Sequence, residues 1–274
     1  MQSTLTFTII YVVGNISVAI AFLYLWGKNF RATGQFMHIG LSFVAIILAS
    51  EVIALSMVGL EAIQQSLGVI LFADVWTALR IYVFTVVGLL LVRRLEDARL
   101  EAGTFDASMN ERPYYGVVAP SRESVTFTLL AIIFMIVFSA ALFHLTDVKI
   151  SKALQAMEGF TLEVTTLGIV VVAIMGFGEE IIFRLGLQNG LTYLMRSSRF
   201  GHYWAVLGTT ALWCLGHVGT LEPNWVKFAQ IFVFGLVLGN LNRRFGIIPC
   251  IMTHVLFNIS MALLTPTVLA NVFG

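Results

Sequence analysis

The sequence predicts an all-α polytopic integral membrane protein, built as a bundle of about eight transmembrane helices. Of its 274 residues, 58% are hydrophobic and only 11% are charged, and the mean hydropathy is +0.91. The apolar residues are gathered in runs near the roughly 20 residues that a helix needs to cross a bilayer. A net charge of +1, with basic residues scattered singly or in pairs, excludes a nucleic-acid-binding protein.

Eight apolar segments are the predicted spans. The first has no basic residue before Lys28, so we expect a retained span and not a cleaved secretory signal. Cys214 and Cys250 both lie within apolar segments, which favours small core residues over a disulfide framework. The predicted spans are 5–26, 36–59, 67–92, 124–145, 162–186, 203–218, 225–242 and 247–266.

The basic residues predict the orientation of the bundle. Of the 16 Lys and Arg, eleven fall in loops on one side of the predicted membrane, two lie within spans, and three fall on the other side: Lys149, Lys152 and Lys227. The positive-inside rule then places both termini outside and the loop 93–123 in the cytoplasm. The membrane would be the cell membrane in a prokaryote, with the endoplasmic reticulum membrane as the eukaryotic alternative.

The polar loop divides the chain into an amino-terminal three-span region with a cytoplasmic linker, 1–123, and a five-span region, 124–274, where we expect the functional site. In the first region Glu51 and Arg80 come out at similar depth on antiparallel helices, which predicts a structural ion pair. Asp74 is assigned no role. All the chemistry that the sequence identifies lies in the second region.

That chemistry begins where the uncharged run from Thr165 to Gly178 ends, at Glu179, Glu180 and Arg184. Ionisable groups at bilayer depth cost roughly 2.5 to 3.5 kcal/mol each, so they need partners. Glu180 and Arg184 are four residues apart and can form an ion pair on one helix face. Glu179 is turned about 100° away and is free to point at another element. A purely structural cluster of the three charges stays open at this stage.

Two later spans supply complementary groups. Trp213 and His217 are four residues apart in the sixth span, and His254 and Asn258 are four apart in the last. A carboxylate beside a histidine can act as a general base on water, and His and Asn donors can stabilise a tetrahedral oxyanion. With Glu179, these groups suit amide hydrolysis by direct attack of water. Each of the later residues also fits an ordinary core or interface position.

In this order the three motifs resemble those of the CAAX protease and bacteriocin-processing (CPBP) family, to which the Ras-converting CAAX prenyl endopeptidase belongs. The resemblance covers roughly residues 124–264. It implies an eight-helix membrane fold and a glutamate peptidase in which Glu179 and His217 activate water and His254 and Asn258 form the oxyanion hole.

The resemblance also implies supporting roles around this set. Glu180 and Arg184 would position the catalytic glutamate. Trp213 departs from the family, which more often has Phe there, and we expect this change to alter pocket shape more than chemistry. The family analogy favours a cavity open to the cytoplasm.

The expected function is therefore that of an intramembrane glutamate-dependent endopeptidase without a cofactor. Its partners would be membrane lipid and a peptide or lipidated protein, cut near its carboxy-terminus, with a prenylated CAAX segment as one candidate. One alternative is a zinc metallopeptidase in which Glu179, His217 and His254 bind the metal. Another is a non-catalytic membrane immunity factor or scaffold.

Predicted depths present one difficulty. Glu179 falls near mid-depth, whereas His217 comes out closer to the outer face and His254 closer to the inner face. For these side chains to converge, some helices must be tilted, sunken or longer than hydropathy indicates. One solution is a fifth helix that continues to about Met195.

Overall fold

The computed structural model describes residues 2–57, 60–101, 120–146, 148–150 and 166–268. Within these residues the chain is almost entirely helical, and the predicted all-α polytopic membrane class is confirmed. The larger part of the predicted linker, 102–119, lies outside the described residues, as does Lys152. Six helical segments are long and apolar enough to cross a bilayer: Phe30–Ser56, Asp74–Ala98, Arg122–Leu145, Thr166–Leu194, Asn224–Phe245 and Ile247–Leu264.

The helices follow the predicted spans in order. A short 3-10 turn, Gly34–Phe36, joins α2 to α3, and a π-helical segment, Ile181–Gln188, joins α6 to α7. The helices are α1 Gln2–Lys28, α2 Phe30–Thr33, α3 Met37–Ser56, α4 Leu60–Glu101, α5 Arg122–Leu145, α6 Thr166–Glu180, α7 Asn189–Leu194, α8 Gly201–Leu215, α9 Asn224–Phe245 and α10 Ile247–Val268. Two short strands, β1 Lys149–Ile150 and β2 Leu221–Glu222, pair antiparallel.

One of the predicted spans falls short of a full crossing within the described residues, whereas α1, with 27 residues, is long enough to cross. Helix α8 has only 15 residues, about 22 Å at 1.5 Å per residue, whereas the hydrocarbon core is about 30 Å thick. If α8 starts at one membrane edge, the chain therefore turns back before reaching the other edge.

The fifth predicted span is longer than its hydropathy indicated. Helices α6 and α7 and the π-helical segment between them form one continuous stretch, Thr166–Leu194. The expected continuation of this helix to about Met195 is confirmed. Charged side chains therefore lie in the middle of a long span and not near its end.

The π-helical segment packs backbone to backbone against α4. A Cβ added at Gly88 would lie 2.6 Å from the carbonyl oxygen of Leu185, and one added at Gly186 would clash with the ring of Phe84. Ile181 and Leu185 are fully buried at this crossing. The close approach of the two helices thus fixes the segment that follows Glu180.

The two ends of the bundle differ in composition. At one end, which we call the arginine end, Arg244 Nη2 donates to Glu123 Oε1 over 2.6 Å, and Arg243 Nη1 lies 3.0 Å from His202 Nε2. At the opposite end, the strand end, β1 and β2 pair with Lys149 opposite Glu222. The predicted grouping of arginines on one side agrees with this arrangement, and the orientation of the bundle stays a prediction.

The ion pair predicted between Glu51 and Arg80 is not found among the described residues. Glu51 instead lies against Asp74, while the Arg80 guanidinium lies 5.8 Å from the centre of the Trp76 ring. Asp74 and Arg80 are six residues apart, about 120° around α4. Equal depth was therefore insufficient to predict the pairing, because α4 turns its acidic residue and not its basic one toward α3.

Candidate active site

The two adjacent glutamates of α6 occupy different environments. Glu180 and Arg184 are completely buried, with Glu180 Oε2 3.5 Å from Arg184 Nε. The ion pair expected from their spacing is present. The Glu179 side chain keeps 25% of its surface exposed. One carboxylate is thus enclosed by the protein, and its neighbour is open to a ligand.

Glu180 is held by a second partner, on α10. His254 Nδ1 lies 2.8 Å from Glu180 Oε1. An ionised carboxylate only accepts hydrogen bonds, so Nδ1 carries the proton of this contact. In a neutral imidazole Nε2 would then hold a lone pair, and it becomes a donor only when the ring is doubly protonated. Glu180 therefore orients His254 and, as a carboxylate, favours the tautomer with the proton on Nδ1.

Glu179 is positioned by Trp213 of α8. The indole N–H donates to Glu179 Oε2 over 2.8 Å, and His254 Nε2 lies 3.9 Å from the same oxygen. Trp213 is almost fully buried, and its ring also lies 5.2 Å from the Arg184 guanidinium. A Phe ring at this position could not make the hydrogen bond, so Trp213 adds a polar contact to Glu179, and its effect on pocket shape and chemistry stays a prediction.

His217 contacts Trp213, the residue that donates to Glu179. Its Nδ1 is 3.1 Å from the carbonyl oxygen of Trp213, and its ring meets the Trp213 ring edge-on at 5.3 Å. No hydrogen bond joins His217 directly to Glu179 in the described part of the chain. Glu179 and His217, the predicted catalytic pair, each contact Trp213 and not each other. The imidazole nearest to Glu179 is that of His254.

Asn258 sits one turn beyond His254 on the same face of α10. Its amide nitrogen donates to the carbonyl oxygen of Val172 on α6 over 3.1 Å. This approach depends on Gly176, where an added Cβ would lie 3.1 Å from Asn258 Nδ2 and 3.3 Å from His254 Cδ2. The glycine lets α10 bring both polar side chains against the helix that carries the glutamates.

The short α8 resolves the predicted difference in depth. His217 follows the end of α8 at Leu215, inside the thickness of the bundle. The chain returns through a turn and β2 before α9 starts at Asn224. Hydropathy alone placed Glu179 near the middle of the membrane and His217 closer to the outer face. The early end of α8 places the turn that carries His217 nearer to the depth of Glu179.

Lys227 is a residue near the site that the sequence analysis missed. Its electrostatic field reaches both Glu179 and His217. The sequence analysis counted Lys227 among the loop cations and therefore did not place it near the site. Its spacing of three residues from Gln230 could have indicated that the two side chains lie on one face of α9. The site thus contains a second cation besides Arg184.

The zinc alternative does not fit this geometry. Among the described residues no three His, Cys, Asp or Glu side chains come together as a ligand set. Glu180 engages His254 through Nδ1, and Trp213 separates His217 from Glu179. The three side chains proposed as ligands therefore do not converge on one point.

Residues 161–260 match the family described as type II CAAX prenyl endopeptidase Rce1-like. Over this region, about a third of its length, the chain is similar to that family. The resemblance derived from the three motifs is thereby confirmed, and every site residue described above lies within the matched range. The matched range also lies within the predicted region 124–274.

A curated protein shares part of this sequence. The sporulation-killing factor biosynthesis protein SkfC of Bacillus subtilis (strain 168) is 28% identical over 83 residues, which is 30% of this chain and 16% of that protein. The chain thus matches about one sixth of the length of this relative. No solved structure matches the chain.

Proposed function

We propose that the chain is an intramembrane endopeptidase in which Glu179 is the general base. The observation that carries this proposal is the contrast between the two glutamates. Glu180 is buried between Arg184 and His254, whereas Glu179 is partly exposed and held by a single indole donor. A carboxylate that is fixed but open can take a proton from a water molecule at bilayer depth.

In the proposed reaction, Glu179 removes a proton from water as the water oxygen attacks the carbonyl carbon of a peptide bond. The carbonyl oxygen becomes an oxyanion, the C–N bond then breaks, and the proton held by Glu179 passes to the leaving amine. We assign His217 to hold the same water. One water is consumed, and the products are a new carboxylic acid and a new amine.

His254 and Asn258 are assigned to the oxyanion. Because Glu180 fixes the donor role of His254 Nδ1, Nε2 can donate to an oxyanion only from a doubly protonated ring. The proposal therefore includes an imidazolium at His254, balanced by the buried carboxylate of Glu180. Removing one oxyanion donor typically costs about 10² to 10³ in rate, so this part of the site is as important as the base.

The family match and the membrane setting support a class of substrate. The matched family is described as one of prenyl endopeptidases, which supports a membrane-associated peptide cut near its carboxy-terminus. A lipid-modified cysteine would hold such a peptide at the bundle. The prenyl group enters the proposal from the family description alone.

The proposal is tested with purified protein in lipid vesicles. A farnesylated CAAX-type peptide and the same peptide without farnesyl are incubated with the protein, and products are identified by mass spectrometry with and without a zinc chelator. We expect cleavage that the chelator leaves unchanged. Cleavage that stops with chelator and returns with zinc would contradict direct activation of water by Glu179, and no cleavage by correctly folded protein would favour the scaffold alternative.

A further inference from the structure

Lys227 points into the bundle instead of toward the nearest membrane edge. It lies in the first turn of α9, where a long basic side chain would ordinarily extend to the interface. Its Nζ instead donates to Gln230 Oε1 over 2.9 Å. Gln230 lies one turn deeper along α9 and is itself almost fully buried. The ammonium is thus drawn inward.

A second helix holds this arrangement in place. Gln230 Nε2 donates to Ser139 Oγ on α5 over 2.9 Å, and Ser139 is completely buried. The amide of Gln230 therefore has its oxygen directed at Lys227 and its nitrogen at α5. A buried relay of this kind fixes the position of the ammonium more tightly than a surface contact would.

The Lys227 charge has no close anionic partner in the part of the chain that the structure describes. No carboxylate oxygen lies within 4.0 Å of its Nζ. Glu180 is already engaged by Arg184 and His254, and Glu179 by Trp213. Lys227 nevertheless interacts electrostatically with Glu179 across the site. An inward ammonium and the proposed general base thus face each other without forming an ion pair.

We propose that the Lys227 ammonium binds the terminal carboxylate of the peptide substrate and selects substrates that end close to the cut bond. This inference rests on the proposed function. An extended chain advances roughly 3.3 to 3.6 Å per residue, so an end one to three residues past the cut lies roughly 3 to 11 Å away. The carboxylate would complete the site by pairing with an ammonium that has no close carboxylate among the described residues.

The test compares three peptides that differ only at the carboxy-terminus: a free acid, its amide, and the amide with aspartate as the last residue. Protein variants are Lys227→Met, which keeps the length without the charge, Lys227→Arg, and Lys149→Met as a control lysine at the same end of the bundle. We expect the wild type and the control to cleave the acid at least about tenfold better than the amide in kcat/KM. Lys227→Met should lose this preference by cleaving the acid more slowly, and Lys227→Arg should largely keep it.

Other outcomes would overturn the inference. If Lys227→Met slows the acid and the amide equally, Lys227 is a counter-charge for Glu179 or a structural residue. If the aspartyl amide is cleaved at the same rate as the free acid, the site recognises any nearby carboxylate and not the terminal one in particular. If the wild type cleaves acid and amide equally, Lys227 selects no carboxylate.

A binding measurement separates this inference from the proposed function. Affinities of the acid and the amide are measured on two proteins that need no turnover, Glu179→Gln alone and Glu179→Gln combined with Lys227→Met. A tenfold preference for the acid that the Lys227→Met change removes would support the carboxylate site even if no cleavage is found. Equal affinities for the acid and the amide on the Lys227 protein would contradict it.

Discussion

The indole N–H of Trp213 donates a 2.8 Å hydrogen bond to Glu179 Oε2, joining α8 to the proposed general base on α6. Trp213→Phe would keep an aromatic ring in the core while removing the donor. A hydrogen bond to a charged group contributes about 1.5 to 3 kcal/mol. We expect kcat/KM to fall about tenfold without loss of all activity, since the resemblance places Phe at this position in other family members. Trp225→Phe, at an exposed tryptophan, is the control, and an unchanged rate in Trp213→Phe would show that the bond does not support catalysis.

Gly176 offers a test of the packing between α6 and α10. A methyl group there would lie 3.1 Å from Asn258 Nδ2 and 3.3 Å from His254 Cδ2, closer than ordinary contacts. Gly176→Ala should therefore move α10 and lower turnover by at least about tenfold. Gly178→Ala is a matched control on the same helix, because its methyl group would meet only Ile81 at 3.7 Å. Equal effects of the two substitutions on turnover would argue against a precise α6–α10 contact.

Asn258 is predicted to act on the oxyanion. Asn258→Ala should reduce kcat by about 10² or more with the fold intact, as expected for the loss of one oxyanion donor. Asn240→Ala is the control, since the Asn240 amide also donates to a backbone carbonyl but is exposed. A near-normal kcat for Asn258→Ala, with melting temperatures unchanged in both proteins, would remove Asn258 from the oxyanion hole.

Arg184 is predicted to be needed for stability as well as activity. It is completely buried beside Glu180, so Arg184→Ala would leave that carboxylate buried without its guanidinium. Breaking a buried ion pair from one side costs about 3 to 5 kcal/mol. We expect a large drop in the melting temperature in detergent, whereas Arg199→Ala, at an exposed position, should have little effect. A melting temperature close to the wild type would mean that the pair contributes little.

The sequence was sufficient for the class of fold and for the ion pair between Glu180 and Arg184, because both depend on local patterns. Long uncharged runs predict spans, and pairs of polar residues four apart predict shared helix faces, as Glu180 and Arg184 confirm. Contacts between helices were harder to predict. The nearest imidazole to Glu179 is that of His254 and not His217, because the short α8 and the bulk of Trp213 decide the distance.

The difficulty of predicting contacts between helices also explains why the partners of Glu51 and Lys227 were not predicted. Similar depth predicted an ion pair with Arg80, but rotation around α4 directs Asp74 toward Glu51. Lys227 was counted as a loop cation, and only the contact between Gln230 and Ser139 on a distant helix shows why it turns inward. Hydropathy gives depth, whereas rotation and long-range hydrogen bonds decide which side chains meet.

The most direct test of the account is the turnover of Glu179→Gln in lipid vesicles. This change keeps the size of the side chain and leaves an oxygen to accept from Trp213, but an amide cannot take a proton from water. We predict that peptide cleavage falls by at least about 10³, with the melting temperature within a few degrees of the wild type. Glu222→Gln, at an exposed glutamate on β2, should retain full activity. A folded Glu179→Gln protein that still cleaves peptide at the wild-type rate would contradict the assignment of Glu179 as the general base.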